Sequence, residues 1–429
     1  MNYEITAKNH LKGQVIVAGD KSISHRSIMF GAIANGTTEV SKFLQGADCL
    51  STINCFQKLG IAITNQGDCI TIHGKGLHGL RAPSAILDVG NSGTTTRLMS
   101  GILAGQPFDT TITGDASIQK RPMKRIIEPL TQMGSHITSE TTPYYAPFTI
   151  HPSPCLRGIH YHSPVASAQV KSCVLLAGLY ANSTTTVTEP YVSRNHTELL
   201  LSSYGAKITT QGTSVSIEPE PYLEGQKVVV PADISSAAFF LAAALITPHS
   251  ELLLKDVGIN PTRDGIIQVI QQMGGHITLL NQTVQNGELV ADLLVRSSSL
   301  KGITIGGSII PTLIDEIPII AILASYAQGT TIIKDASELK VKESNRIDIM
   351  VSQLQKMGCN IEARDDGMVI HGGASLHGAT IDPHLDHRIA MSFAIAGLQA
   401  EGTTTIQDAQ CVHISYPNFF QDLARTFTD

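Results

Sequence analysis

The sequence predicts an α/β protein of two domains, each carrying three copies of one helix–strand unit. Three observations predict it: a long repeat, a glycine-terminated second helix inside the repeat, and a last copy that is cut short. Each copy opens with a polar cluster, continues as an apolar helix and ends in a Thr-rich strand. Copies begin at Lys21, Ser92, Ser167, Asp233, Asp315 and Asp386, at intervals of 71, 75, 66, 82 and 71 residues. Self-similarity on this scale marks a repeated supersecondary unit.

Within each copy the elements follow from local chemistry. KSISHRSIMFGAIANGTTEV at residue 21 and SAQVKSCVLLAGLYANSTTTV at residue 167 read as a helix, a break and a β-branched strand. DISSAAFFLAAALI at 233, DEIPIIAILASY at 315 and DHRIAMSFAIAGL at 386 are the apolar helices of the later copies. The second helix of most copies ends in FQKLGIAIT, LTQMGSHIT, LSSYGAKIT, IQQMGGHIT or LQKMGCNIE. Glycine after the last apolar turn is a helix stop, and the β-branched tail starts a strand. The sixth copy has only 43 residues after Asp386 and ends in a helical stretch at 419–427. Residues 1–20 are therefore expected to supply its missing strand. The expected grouping is residues 21–230 in one domain, and 1–20 plus 231–429 in the other. Crossings near residue 20 and at 231–233 form the hinge, and a cleft between domains is a common ligand site.

Composition narrows the function. The chain has 429 residues, 42% hydrophobic and 15% charged, against about 25% charged in an average domain. A well-packed protein follows, not a disordered one. Its net charge of −6 gives no global attraction for nucleic acid or an anionic membrane. An anionic ligand must be held by local cations. The longest apolar run, 237–246, is too short for the ~20 residues that span a bilayer. No secretory signal is visible at the start, and the seven cysteines show no CxxC. Free thiols in a reducing cytoplasm are expected.

The polar clusters carry the candidate chemistry, because a helix start offers unpaired N–H groups and a positive dipole end. Lys21, Ser22 and Arg26 open the first helix; alone they read as a capped start with solvated charges. Asn91, Ser92, Gly93 and Thr94 open the second, where glycine lets the backbone approach a phosphate; taken alone the segment is equally a tight turn. Residues 120–125, which include Lys120, Arg121, Lys124 and Arg125, are the densest basic patch, and read alone they are a solvated surface. Ser167, Ala168, Gln169 and Lys171, with Ser193 and Arg194, make a set suited to phosphate, the alternative being a helix cap with surface charges. Asp315 and Glu316 precede an apolar helix, where cap and catalytic base are about equally expected. Lys342 and Arg346 are four residues apart and are expected on one helical face around Glu343. Asp386, His387 and Arg388 repeat the theme. Two patterns are set aside. GKGLHG (74–79) matches GxGxxG, but Pro83 follows where a helix should open. His160 and His162 share a strand face without a third ligand, so no metal is expected.

In order along the chain, GDKSISHR (19–26), GNSGTTTR (90–97), KRPM (120–123), SAQVKS (167–172) and SRNHTE (193–198) carry a resemblance. It continues through DISSAAFF (233–240), DEIP (315–318), VKESNRI (341–347) and DHRIAM (386–391). At these residues the sequence resembles the 3-phosphoshikimate 1-carboxyvinyltransferase (5-enolpyruvylshikimate-3-phosphate synthase) family. The resemblance implies a two-domain inside-out α/β barrel with three βαβαββ units per domain, the enolpyruvyl transferase fold. It implies a transferase of the shikimate pathway, leading to chorismate and aromatic amino acids. The enolpyruvyl group of phosphoenolpyruvate would pass to the 5-hydroxyl of shikimate 3-phosphate, with release of phosphate. Lys21, Ser22, Arg26, Ser167, Ala168, Gln169, Ser193, Arg194, Asp315 and Lys342 match shikimate 3-phosphate positions. Ala168 replaces a frequent serine, leaving only its backbone N–H to help. Lys21, Gly93, Arg121, Gln169, Arg346 and Arg388 match phosphoenolpyruvate positions. Asp315 would take the hydroxyl proton, Glu343 would protonate and later deprotonate the methylene carbon, and Lys21 would stabilise charge. Partners are these two small molecules, in a cytoplasmic monomer without a cofactor.

There are two departures. Many members carry a lysine three residues before a C-terminal proline, where this chain has Ile414, with His413 beside it. Glu338 stands where an asparagine often meets the shikimate ring. Three alternatives are weighed. UDP-N-acetylglucosamine enolpyruvyl transferase shares the fold, but its loop cysteine has no counterpart at residues 115–119. A non-enzymatic polyanion-binding protein would not need Asp315 and Glu343 beside the cations. An RNA-end-modifying relative of the fold should be basic, which −6 opposes.

Overall fold

A computed structural model describes residues 1–140 and 142–427. The chain divides into two compact units. One comprises Met1–Ala18, Pro231–Val284 and Leu289–Asp429, and the other Gly19–Val230 with Gln285–Glu288.

The Gly19–Val230 unit has three four-stranded sheets of one design. A short strand runs parallel to a Thr-rich strand, which pairs antiparallel with a hairpin behind it. Leu87–Asp88 lies beside Thr110–Thr113 in this way, and His160–His162 beside Thr185–Thr188. The third sheet is closed by the end of the unit, where Lys227–Val229 pairs with Asn35–Ser41. The helices Lys21–Ile33, Gly93–Leu103 and Ala168–Gly178 are buried almost all round. A helix this evenly buried belongs inside a core, so in this unit the helices are central and the sheets surround them.

The second unit repeats the plan with one substitution. Thr304–Ile305 runs parallel to Gly329–Ile333, and Lys12–Val15 runs parallel to Glu251–Gly258. The sixth sheet has only three strands: Thr380–Ile381 pairs with Thr403–Ile406, and Tyr3–Thr6 pairs antiparallel on its other side. A single N-terminal strand thus stands where the other sheets have a hairpin. Three apolar helices, Ile234–Ile246, Ile317–Tyr326 and His387–Ala396, pack on one another as the core. No single helix among the described residues is long and apolar enough to cross a membrane.

Local signals explain the boundaries. The glycine of each helix-stop signature has a positive φ, from 86° at Gly274 to 108° at Gly205. A residue with a Cβ is strained there, so the sequence spends a glycine at each stop. The C-terminal helix is Phe419–Ala424, shorter than the 419–427 stretch the sequence suggests. The GKGLHG segment is the end of the strand Cys69–Lys75 and a turn, with no helix after it.

Candidate active site

Five of the six core helices start at a side-chain cap. Asp20, Ser92, Ser167, Asp233 and Asp386 each accept a hydrogen bond from a backbone N–H one or two residues into the helix. The caps fix where the candidate side chains leave the backbone. In the fifth copy, Glu316 occupies the cap position without a capping bond, and Asp315 stands just before it.

In the Gly19–Val230 unit, Lys21 pairs with the buried Asp48. Arg26 is 3% exposed and donates to Thr197 Oγ1 at 2.7 Å, Ser172 Oγ at 3.0 Å and the Ser22 carbonyl at 3.0 Å. Burial pulls its guanidinium down to about 10, with Glu198 and Asp20 acting against that pull and Arg194 adding to it. It remains charged at neutral pH.

Gly93 sits between two guanidinium groups. A Cβ built there would lie 2.9 Å from Arg97 Nη1 and 3.2 Å from Arg121 Nη1. Arg97 donates to Gln169 Oε1 at 2.5 Å, and Gln169 Nε2 donates to Thr94 Oγ1 at 3.1 Å. Arg121 donates to Asn91 Oδ1 and Ser117 Oγ, both at 3.2 Å. The structure therefore brings Gly93, Arg121 and Gln169 together, and Arg121, 7% exposed, is not a solvated surface charge. Arg97 was not singled out in the sequence. The signal was its position one helical turn after Gly93, on the same face.

Ser167 and Ser193 meet through a residue with no motif of its own. Glu189 accepts from Ser167 N–H at 2.8 Å and from Ser193 Oγ–H at 2.7 Å. Ala168 is the first residue of the helix that Ser167 caps, and Arg194 follows Ser193 half-buried.

In the other unit the candidates converge on one guanidinium. Arg346, 1% exposed, donates to Glu343 Oε2 at 2.6 Å, to Asp386 Oδ2 at 2.8 Å and to Asp315 Oδ1 at 3.4 Å. Lys342 Nζ lies 3.5 Å from the same Asp315 oxygen, and Arg388 Nη1 donates to the Asp315 carbonyl at 3.4 Å. Burial opposes the Arg346 charge, but Asp386, Glu343 and Asp315 outweigh it and hold the guanidinium above its ordinary value. Burial also pushes the Asp386 carboxyl up, and Arg346 more than reverses this.

One expectation is corrected here. Lys342 and Arg346 do not share a helical face, because the helix begins at Arg346. Asn345 accepts from Asp348 N–H as the cap, so residues 342–345 lie outside the helix. The two cations are adjacent through Asp315 instead. At the departures, Ile414 ends the 3-10 turn Ala409–Ile414 with His413 exposed beside it, and Glu338 lies in the turn Ser337–Val341. No group of three or more metal-ligating side chains occurs among the described residues.

Comparison with known proteins finds relatives along nearly the whole chain. The sequence profile of EPSP synthase (3-phosphoshikimate 1-carboxyvinyltransferase) matches residues 5–423. A 3-phosphoshikimate 1-carboxyvinyltransferase of Thermoanaerobacter sp. (strain X514) is 55% identical over 421 residues, 98% of this chain and 99% of the relative. One of Bacillus cereus (strain 03BB102) is 55% identical over 417 residues, 97% of each chain. A solved EPSP synthase from Acinetobacter baumannii superposes with a TM-score of 0.89 at 45% identity, covering 99% of this chain and 98% of that one. The fold is thus the two-domain enolpyruvyl transferase fold, and the chain belongs to the EPSP synthase family.

Proposed function

We propose that this chain transfers the enolpyruvyl group of phosphoenolpyruvate to the 5-hydroxyl of shikimate 3-phosphate and releases phosphate. The observation that carries the reading is the cluster in which Asp315 and Glu343 share the Arg346 guanidinium beside Lys342 and Arg388. Two carboxylates held within one cation network suit a reaction that moves protons on an anionic substrate.

In this reading Asp315 removes the 5-hydroxyl proton as that oxygen bonds to C2 of phosphoenolpyruvate. Glu343 delivers a proton to the methylene carbon and then takes one back as the C2–O bond to phosphate breaks. Arg346 and Arg388 hold the donor, so Arg346 must trade a carboxylate contact for substrate. Arg121, Lys21 and Gln169, with the Gly93 backbone, form the other part of the donor site. Planar guanidinium groups suit the carboxylate and phosphate of this ligand. Ser22, Arg26, Ser167, the Ala168 N–H, Gln169, Ser193, Arg194 and Lys342 hold shikimate 3-phosphate.

The test is phosphate release with phosphoenolpyruvate and either shikimate 3-phosphate or UDP-N-acetylglucosamine as acceptor. Release with shikimate 3-phosphate alone is expected. Release with the sugar nucleotide alone, or with neither, would overturn the reading.

A further inference from the structure

We infer that Glu189 is a positioning residue for the shikimate 3-phosphate subsite, an inference that rests on the substrate reading above. Glu189 follows the strand Thr185–Thr188 and is 4% exposed. One of its oxygens accepts the Ser167 N–H at 2.8 Å, and the other accepts Ser193 Oγ–H at 2.7 Å and Ser193 N–H at 3.3 Å. Lys171, itself 2% exposed, lies 3.3 Å from that second oxygen and 2.7 Å from Glu198 Oε1. Its ammonium also donates to the Ser193 carbonyl at 3.2 Å.

The pair therefore holds Ser193 at three atoms: its N–H, its hydroxyl and its carbonyl. It ties that residue to the start of the helix that Ser167 caps. A carboxylate can do this because it only accepts, and each of its oxygens has two lone pairs. Glutamine cannot do the same, since its NH₂ would face either Ser167 N–H or the Ser193 and Lys171 donors. The hydroxyl geometry carries a second consequence. Ser193 gives its hydroxyl proton to Glu189 here, so to donate to a phosphate it must rotate away. Its N–H and Lys171 remain to hold the carboxylate when it does.

Steady-state kinetics of Glu189→Gln, Ser193→Ala and the double variant test this. Glu189→Gln should raise the shikimate 3-phosphate KM about tenfold to a hundredfold, the scale of a misplaced buried charge-assisted hydrogen bond. The phosphoenolpyruvate KM should move less than about threefold, and the double variant should bind no worse than about twofold beyond the weaker single. If Ser193→Ala weakens shikimate 3-phosphate while Glu189→Gln does not, the positioning role fails and the subsite stands. Equal loss for both substrates, or effects that multiply in the double variant, would also overturn it as mere structural damage. If Ser193→Ala leaves the shikimate 3-phosphate KM unmoved, the subsite reading falls and takes the proposal with it. Should Glu189→Gln not fold, Glu189→Asp retracts the carboxylate by one methylene and carries the same expectation.

Discussion

Arg26 and Arg346 are both buried, one in each unit, and their surroundings push them in opposite directions. Arg26 hydrogen-bonds to two hydroxyls and a backbone carbonyl, and burial lowers it to about 10. Arg346 hydrogen-bonds to three carboxylates and is held above its ordinary value. The same side chain thus does two jobs. Among the described residues Arg26 donates to hydroxyls and a carbonyl, with Glu198 and Asp20 supporting its charge electrostatically, which in the proposed reading leaves it suited to meet an anion. At Arg346 the charge gathers three carboxylates, two of which are the proton carriers of the proposed reaction.

The largest expected effect would break the Arg346 side of this contrast. Arg346→Met leaves Asp386 buried without its main counter-charge, a change of the kind that costs about 3–5 kcal/mol. Its pH dependence adds a sign. In the parent, Asp386 has a lowered folded-state value, so its contribution is present above the unfolded value of about 3.9 and is lost as pH falls below it. In the variant burial dominates, the folded value rises, and stability from this group declines as pH climbs above about 4. Thermal melting at pH 5 and 7 checks this: the deficit against the parent should be larger at pH 7.

Next comes Asp315→Asn, which keeps shape and one acceptor but cannot take a proton. Turnover should fall about 10²-fold or more, and near-parental turnover would remove Asp315 from the role of base.

The third change sharpens the anion-binding side. Gly93→Ala would put a methyl group against the ends of Arg97 and Arg121. Overpacking of this kind costs about 1–3 kcal/mol, or roughly a five-fold to hundred-fold rise in phosphoenolpyruvate KM. Shikimate 3-phosphate KM should rise less, because Ser167, Ser193 and Arg26 lie on other elements and only Gln169, which accepts from Arg97, links the two subsites. The reverse pattern in steady-state kinetics would exchange the two subsites.

The repeats, the short sixth copy and the helix starts were legible because each rests on local chemistry. A cap before an apolar run and a glycine after it are written within a few residues of each other. The cluster around Arg346 was half legible. VKESNR shows the charges, but whether Lys342 lies in the helix depends on Asn345, whose capping bond is a matter of conformation. Glu189 was invisible: it stands 22 residues from Ser167 and only the fold brings them together. Arg97 lay inside a quoted motif, yet its closeness to Arg121 is tertiary and had no trace in spacing.

The division between holding and proton transfer is tested most directly by calorimetric titration of Asp315→Asn with shikimate 3-phosphate. If the hydroxyls and cations of the other unit hold this ligand, the variant should bind it within about fivefold of the parent, less than ~1 kcal/mol, although its turnover has collapsed. Loss of binding as large as the loss of turnover would contradict the account and make Asp315 chiefly a binding residue.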